Sequence, residues 1–157
     1  MQKITPFLWF NNNAEEAVNF YAGLFKDAVI ETITRYGEAG PGPAGSVMTI
    51  KFQLHGQEFL ALNGGPHFSF TPAISFVISC ETQEEIDRLW DAFTDGGETM
   101  NCGWVKDRFG LCWQVVPSII GKLMSDKDPA RVKRVMGAMM QMIKLDIAGL
   151  QRAYDGG

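Results

Sequence analysis

The chain has 157 residues, of which 46% are hydrophobic and 20% are charged, a composition typical of one ordinary globular domain. The formal net charge is -4 and no basic block occurs, which argues against nucleic acid and against anionic membranes as partners. No apolar run reaches the roughly 18 residues that a membrane-spanning helix needs.

Residues 4–10 (ITPFLWF) are short and apolar, and they predict a buried strand. Asn13, with Glu16 three residues later, predicts a capped helix start, and apolar residues at helical spacing follow it. Residues 27–36 predict the next strand, because isoleucines and β-branched threonines dominate their centre.

Residues 37–45 (GEAGPGPAG) predict an irregular loop, because their glycines and prolines favour neither a helix nor a sheet. Residues 46–54 alternate in polarity and predict a strand. His55-Gly56 predicts a tight, exposed turn that leads into a partner strand at 58–62. Residues 63–66 (NGGP) end this first module.

The same order of elements then starts again. Residues 73–79 (AISFVIS) predict a strand, and residues 82–85 form a capping box in front of an amphipathic helix. Further strands are predicted at 104–109 and 111–116, and Pro117 closes the sheet. Lys106, Asp107 and Arg108, which belong to this hairpin, are expected to form an exposed turn.

The two halves correspond at a fixed offset along the chain. Glu15-Glu16 matches Glu84-Glu85, Phe20-Tyr21 matches Leu89-Trp90, and Phe7 falls on Phe76. Agreement of the cap, the acidic pair and the apolar face predicts a true internal duplication.

Residues 118–157 predict a helical tail. Asp128 followed by Pro129 is a typical helix start. Apolar residues, many of them methionine, then recur at helical spacing: Met136, Met139, Met140, Ile143, Ile147 and Leu150. A methionine-rich face is typical of plain packing, and it also offers a surface for a second subunit.

Two such modules, with the aromatic pair Phe20-Tyr21 in the first helix, resemble the vicinal-oxygen-chelate superfamily of glyoxalase, extradiol dioxygenases and bleomycin-resistance proteins. The PhnB-like subgroup is the closer resemblance, and it covers almost the whole chain. The stretches that carry it are 63–66 (NGGP), 73–76 (AISF), 102–104 (CGW), 106–110 (KDRFG), 113–117 (WQVVP) and 142–147 (MIKLDI).

The resemblance implies an α+β fold in a single domain, 1–157. Two tandem βαβββ modules, at 3–64 and 72–117, would form a curved mixed sheet around a cleft, followed by the helical tail at 118–157. A homodimer is also implied, with a monomer as the alternative because both modules are in one chain. Members of this subgroup are often labelled 3-demethylubiquinone 3-methyltransferase. A methyltransferase of the Rossmann type needs a glycine-rich turn after its first strand, and residues 11–13 (NNN) stand there instead, so methyl transfer is not expected.

Enzymes of this superfamily bind a divalent metal through His or Glu on the first and last strands of each module. Carried over to this sequence, those positions fall on Pro6, Ser75, Gln114 and either Ala61 or Asn63. Amides and a hydroxyl, without an imidazole or a carboxylate, would leave a divalent ion without counter-charge. We therefore expect no metal of the family type and no other cofactor.

Five residues are candidates for binding a small molecule in the cleft: Asn63, Ser75, Trp104, Cys112 and Gln114. Strand alternation turns Ser75 and Gln114 toward the cleft, and Ile74 and Phe76 toward the helices. Ser75 and Gln114 either form a polar floor for a ligand or only satisfy each other. Trp104 either lines the pocket wall or belongs to the core.

Three classes of function stay open, and the weakest is an interaction protein whose tail recruits a partner. The missing metal ligands favour a protein that binds or sequesters a small molecule. The alternative is a glyoxalase- or dioxygenase-like enzyme with an atypical metal site, or a metal-free isomerase with His67 as general base. The odd number of cysteines (Cys80, Cys102 and Cys112) and the absence of a secretory leader favour reduced thiols and a cytoplasmic protein.

Overall fold

The computed structural model describes residues 2–157, which divide into two compact units. Unit one ends at Phe70, and unit two runs from Thr71 to Gly157. Each unit contains one four-stranded mixed sheet with a helix on one side. The predicted α+β class is therefore confirmed, while the single-domain organisation stays a prediction.

Unit one follows the predicted βαβββ order. Its sheet has the strand order β1-β4-β3-β2, in which β1 runs parallel to β4 and the other neighbours are antiparallel. The elements are β1 (Phe7–Phe10), α1 (Ala14–Leu24), β2 (Val29–Arg35), β3 (Val47–Leu54) and β4 (Gln57–Asn63).

The core of unit one lies between α1 and the face of the sheet that the helix covers. Ala14, Ala17, Val18 and Tyr21 form the buried side of α1, at the spacing that an amphipathic helix requires. The buried sheet residues alternate along their strands, as sheet geometry dictates: Leu8, Phe10, Ile50, Phe52, Leu54, Phe59 and Ala61. In each unit, the side of the sheet opposite this helix is its open face.

Unit two repeats this arrangement and adds three helices. Its strand order is β5-β8-β7-β6, with β5 parallel to β8. The elements are β5 (Ser75–Cys80), α2 (Gln83–Thr94), β6 (Glu98–Thr99), β7 (Trp104–Lys106), β8 (Cys112–Pro117), α3 (Ile120–Met124), α4 (Pro129–Met139) and α5 (Ile147–Asp155). The identical strand orders of the two sheets support the predicted duplication. None of the helices in residues 2–157 is both long and apolar enough to cross a membrane.

The helices of the two modules begin at corresponding positions, Ala14 and Gln83, but the first strands are shifted by one residue. Phe7 is 52% exposed on the open face, whereas Leu8 and Phe10 are buried toward α1. Phe76 instead packs on Trp113, which stacks on Phe93 of α2. Phe7 and Phe76 therefore lie on opposite faces, and the predicted correspondence between them is wrong. The link from strand to helix is one residue shorter in module two, and a one-residue slip moves a strand side chain to the other face.

The start of α1 is held by a different residue from the one predicted. The side chain of Asn13 makes no capping hydrogen bond. The amide of Asn63, at the end of β4, caps the helix because its Oδ1 accepts from the backbone N–H of Ala14 at 2.8 Å. The Asn63 Nδ2 donates to the carbonyl of Val47 at 3.2 Å. Asn63 thus joins the helix to two strands of the sheet.

Asp107 is not part of an exposed turn, because only 3% of its surface is accessible. Its Oδ1 accepts from the backbone N–H groups of Phe109 and Leu111, at 2.8 and 3.0 Å. Its Oδ2 accepts from the indole N–H of Trp113 at 2.9 Å. A carboxylate that accepts three hydrogen bonds orders the whole turn between β7 and β8.

The helical tail is an integral part of unit two. Leu123, Val135 and Leu150 form a buried cluster between α3, α4 and α5. Two backbone hydrogen bonds, from Cys102 N to Met142 O and from Gly103 N to Ile143 O, tie the tail to the start of β7. Ile143 lies in the bend between α4 and α5 and not in a helix, so the predicted continuous helical face ends before it.

Replacing Asn63 with alanine is expected to lower the free energy of unfolding by about 1–3 kcal/mol, because a helix cap and a second hydrogen bond are lost together. Urea unfolding monitored by circular dichroism measures this loss. Asn19→Ala, the same change on the exposed side of α1, is the matched control and should alter stability by less than about 0.5 kcal/mol. Equal effects of the two substitutions would contradict the assigned cap.

Candidate functional site

The centre of the open face in unit two is a row of three side chains from three strands. Gln114 of β8 lies between Val77 of β5 and Trp104 of β7 in the register of the sheet. Val77 is 61% exposed, and Trp104 and Gln114 are half-buried. An aliphatic group and an indole flanking an amide give a surface that can hold a flat molecule and orient it.

Gln114 and Ser75 are joined directly, because the Gln114 Nε2 donates to the Ser75 Oγ at 2.9 Å. This bond leaves the Gln114 Oε1 as an acceptor and the Ser75 hydroxyl as a donor, neither of them engaged within residues 2–157. The side-chain N–H of Trp104 is likewise unengaged in the described part of the chain. Ser75 and Gln114 thus contact each other and still present a donor and an acceptor side by side, and their role as a polar floor for a ligand stays a prediction.

Ile74 does not pack on the helix as alternation predicted, because it precedes β5 and is 69% exposed. Phe76 and Ile78 do face α2, as expected. The strand alternation therefore applies only where the strand is hydrogen-bonded to its neighbour.

Cys112 is on the same face as Gln114, between Ser75 and Lys106 in the register, but no part of it is accessible. Burial raises the pKa of its thiol, which keeps it protonated. Lys106 forms an ion pair with Glu98 at 3.3 Å, so this row of the sheet carries no unbalanced charge. Cys112 is therefore a packing residue rather than a contact for a ligand.

The other two candidates, Asn63 and His67, belong to unit one and not to the row around Gln114. Both line a cavity of about 390 Å³ where β1 and β4 end. The side-chain amide of Asn63 is engaged through both its oxygen and its nitrogen, in capping α1 and in bonding to Val47, so it is a structural part of the cavity wall. His67 is exposed at the cavity rim and contacts the ring of Trp9 edge-on. His55 lies in its predicted exposed turn and pairs with Asp27 at 3.0 Å.

The positions carried over for a metal divide between the two faces of the sheets. Ser75 and Gln114 are on the open face of unit two, but Ala61 and Asn63 pair with Leu8 and Phe10 on the helix side of unit one. Their neighbours on the open face, Leu60 and Leu62, are aliphatic. Within residues 2–157, no three His, Cys, Asp or Glu side chains converge in a way that could hold a metal ion. The residues present do not fit the metal of the superfamily.

In the folded protein, iodoacetamide is expected to modify Cys102 before Cys80 and Cys112. Burial raises the pKa of Cys80 to about 12 and also raises that of Cys112, so the reactive thiolate is scarce at pH 8, whereas Cys102 is half-buried in a loop. Mass spectrometry of the alkylated peptides measures the order, and unfolding in urea should make the three rates similar. Alkylation of Cys112 as fast as Cys102 would return Cys112 to the list of ligand contacts.

Comparisons with known proteins agree with this fold. A model of the family described as 3-demethylubiquinone-9 3-methyltransferase matches residues 2–116. A PhnB protein from Bacillus cereus is 41% identical with a TM-score of 0.69, and the match covers 74% of this chain and 99% of that chain. A protein from Pseudomonas aeruginosa is 23% identical with a TM-score of 0.62, covering 74% and 98%, which shows the fold alone. A glyoxalase/bleomycin resistance protein from Albidiferax ferrireducens is 17% identical with a TM-score of 0.46, covering 71% and 95%.

None of the curated proteins matches the chain. The family match ends at residue 116, so the tail, including the stretch 142–147 that resembles the PhnB-like subgroup, lies beyond it. The matched part contains both βαβββ modules up to the last strand of unit two. This chain belongs to the PhnB-like family named after 3-demethylubiquinone-9 3-methyltransferase.

Proposed function

We propose that this protein binds a small, flat, uncharged molecule on the open face of unit two, without a metal of the family type. The observation that carries this proposal is the Gln114–Ser75 pair, which presents an unengaged acceptor and an unengaged donor, with Gln114 flanked by Val77 and Trp104. A ligand with an amide edge would donate its N–H to the Gln114 Oε1 and accept from the Ser75 hydroxyl with its carbonyl, while its ring packs on the indole.

The charges around this row support an uncharged ligand. Lys106 is the nearest cation in the register of the sheet, and Glu98 already neutralises it. A charged ligand would have to break that ion pair or lose its hydration without compensation. The polar groups that stay available are an amide, a hydroxyl and an indole N–H, all neutral.

We do not propose methyl transfer, although the family is named after a methyltransferase. Each sheet has one parallel pair and two antiparallel pairs, which differs from the parallel, doubly wound sheet of a Rossmann-type methyltransferase. The first strand is followed by Asn11, Asn12 and Asn13, without the glycines that let a cofactor approach the backbone. A glyoxalase- or dioxygenase-like enzyme with an atypical metal site stays the alternative.

A thermal-shift screen with small heteroaromatic amides and their carboxylate counterparts tests the proposal. Neutral compounds should raise the melting temperature, and their binding should quench tryptophan fluorescence because Trp104 lies beside the ligand. Gln114→Leu is expected to weaken binding about 5–30-fold, since it removes one or two hydrogen bonds and leaves the ligand's polar edge unpaired. Trp104→Phe should remove most of the quenching.

Gln151→Leu, on the exposed side of α5, is the matched control and should bind as the native protein does. Elemental analysis of untagged protein accompanies the screen. A near-stoichiometric divalent metal, or binding that chelation abolishes, would overturn the metal-free proposal and favour the enzyme alternative. Binding that survives Gln114→Leu unchanged would place the ligand elsewhere.

We further propose that the protein is a homodimer, in which the end of α4 meets a second copy of the chain. Met136 in α4, Met140 at its C-cap and Ile143 in the bend that follows are 40%, 58% and 52% exposed. Methionine side chains adapt to an irregular partner surface, and an exposed apolar patch is typical of an interface.

Light scattering coupled to size exclusion should give twice the chain mass of 17.4 kDa. Met140→Lys is expected to lower the dimer fraction by placing a charge in the interface, whereas Met139→Leu, a change inside the tail core, should not. A mass of one chain for the native protein would contradict the dimer. A dimer that tolerates Met140→Lys would move the interface away from α4.

A further inference from the structure

The cavity at the end of the unit-one sheet is separate from the row around Gln114, and the proposal for that row does not depend on it. It lies where β1 and β4 end and β3 begins, and it has a volume of about 390 Å³. Pockets for small ligands usually start at roughly 300 Å³. The cavity is thus large enough for a compact ring compound.

The floor of this cavity is fixed by contacts within unit one. Gly64 N donates to Phe10 O at 2.9 Å, and Gly65 N donates to Asn11 O at 3.0 Å. The indole N–H of Trp9 donates to the carbonyl of Gly65 at 2.9 Å. A Cβ atom at position 64 would collide with the Trp9 ring, so only glycine lets the loop lie this close.

The roof of the cavity is the Gly- and Pro-rich loop, and Tyr36 connects it to the floor. The ring of Tyr36 lies against Gly42, where a Cβ atom would not fit, and the ring is 8% exposed. Its hydroxyl donates to the carbonyl of Asn63. Gly45 N and Tyr36 O are hydrogen-bonded at 2.8 Å. Because one tyrosine fixes both sides, the cavity keeps its shape without a ligand, which lowers the entropic cost of binding.

The chemistry of the walls defines the ligand class. No Asp, Glu, Lys or Arg of residues 2–157 lines the cavity. Apolar wall comes from Pro41, Pro43 and Pro66. The side-chain amides of Asn11 and Asn12 are exposed and unengaged within the described chain, so each offers both a donor and an acceptor.

We propose that this cavity is a second binding site, for an uncharged ring compound that carries a carboxamide or a similar donor–acceptor edge. The ring packs between the prolines of the roof and the rim, and the polar edge bonds to the Asn11 and Asn12 amides. His67 at the rim adds one imidazole nitrogen that donates or accepts. An anion of the same shape finds no cationic side chain to replace its hydration.

Benzamide and benzoate have the same shape and differ in charge, so they are suitable probes. Titration of isotope-labelled full-length protein, followed by amide NMR, should show saturable shifts of the Gly64, Gly65 and Asn12 signals with benzamide. A fragment of this size is expected to bind with a Kd of roughly 1–10 mM. Benzoate should bind at least about fivefold more weakly, because it lacks the amide N–H donor and so loses one hydrogen bond.

Asn12→Leu is expected to weaken benzamide binding about fivefold or more, and Tyr36→Phe should weaken it by loosening the link between roof and floor. Gln114→Leu is the control that separates the two sites, since it should leave these shifts unchanged. Retained signal dispersion shows that each variant is folded. Benzamide shifts that are absent or do not saturate, equal binding of benzoate, or shifts that disappear in Gln114→Leu would each overturn the second site.

Discussion

The parallel pairings β1–β4 and β5–β8 decide which side chains of each module meet a helix and which stay on the open face. In each pair, residues with directly opposed Cα atoms share a face, so one register fixes the whole surface. In unit two this register brings Gln114 beside Val77 and leaves Trp113 to stack on α2. In unit one it turns Asn63 toward α1 and Leu62 outward. The candidate ligand surface is therefore a consequence of the register of the parallel pair β5–β8.

Most of this arrangement could be predicted because its signal is periodic and local. The helix of each module, most of the strands and the outward direction of Ser75 and Gln114 all follow from apolar residues that recur at a period of two or 3.6. The fixed offset failed at Phe7 and Phe76 because the link between strand and helix lost one residue. The match between the two helices is the same whether or not this link differs in length. The face on which a strand side chain lies, in contrast, changes with every residue added to or lost from the link.

The polar residues with structural roles were the ones that sequence could not place. Asn63 and Asp107 both stand in stretches that look like surface turns, yet one caps a helix and the other accepts three hydrogen bonds in the interior of unit two. Their partners are backbone N–H groups and an indole, which carry no mark in the sequence. The available signal was spacing: Asp107 precedes Gly110, whose φ is +90°, as a tight turn with a side-chain acceptor requires.

The two lysines of the sheets are already paired with carboxylates, and this limits what the surface around each of them can recognise. Lys51 on β3 lies between Glu31 and Glu58 at 3.3 and 3.2 Å, and hydrogen bonds to the Glu58 and Glu31 carboxylates raise its pKa. Lys106 on β7 is matched by Glu98. An incoming anion would compete for the lysine with a carboxylate of the same chain that is already in contact with it. An incoming cation would likewise compete with the lysine for the carboxylate. Selectivity on these surfaces must therefore come from hydrogen bonds between neutral groups and from ring packing. A ligand that lacks a polar atom, or carries one too many, binds more weakly because an amide or hydroxyl of the protein is left without its partner.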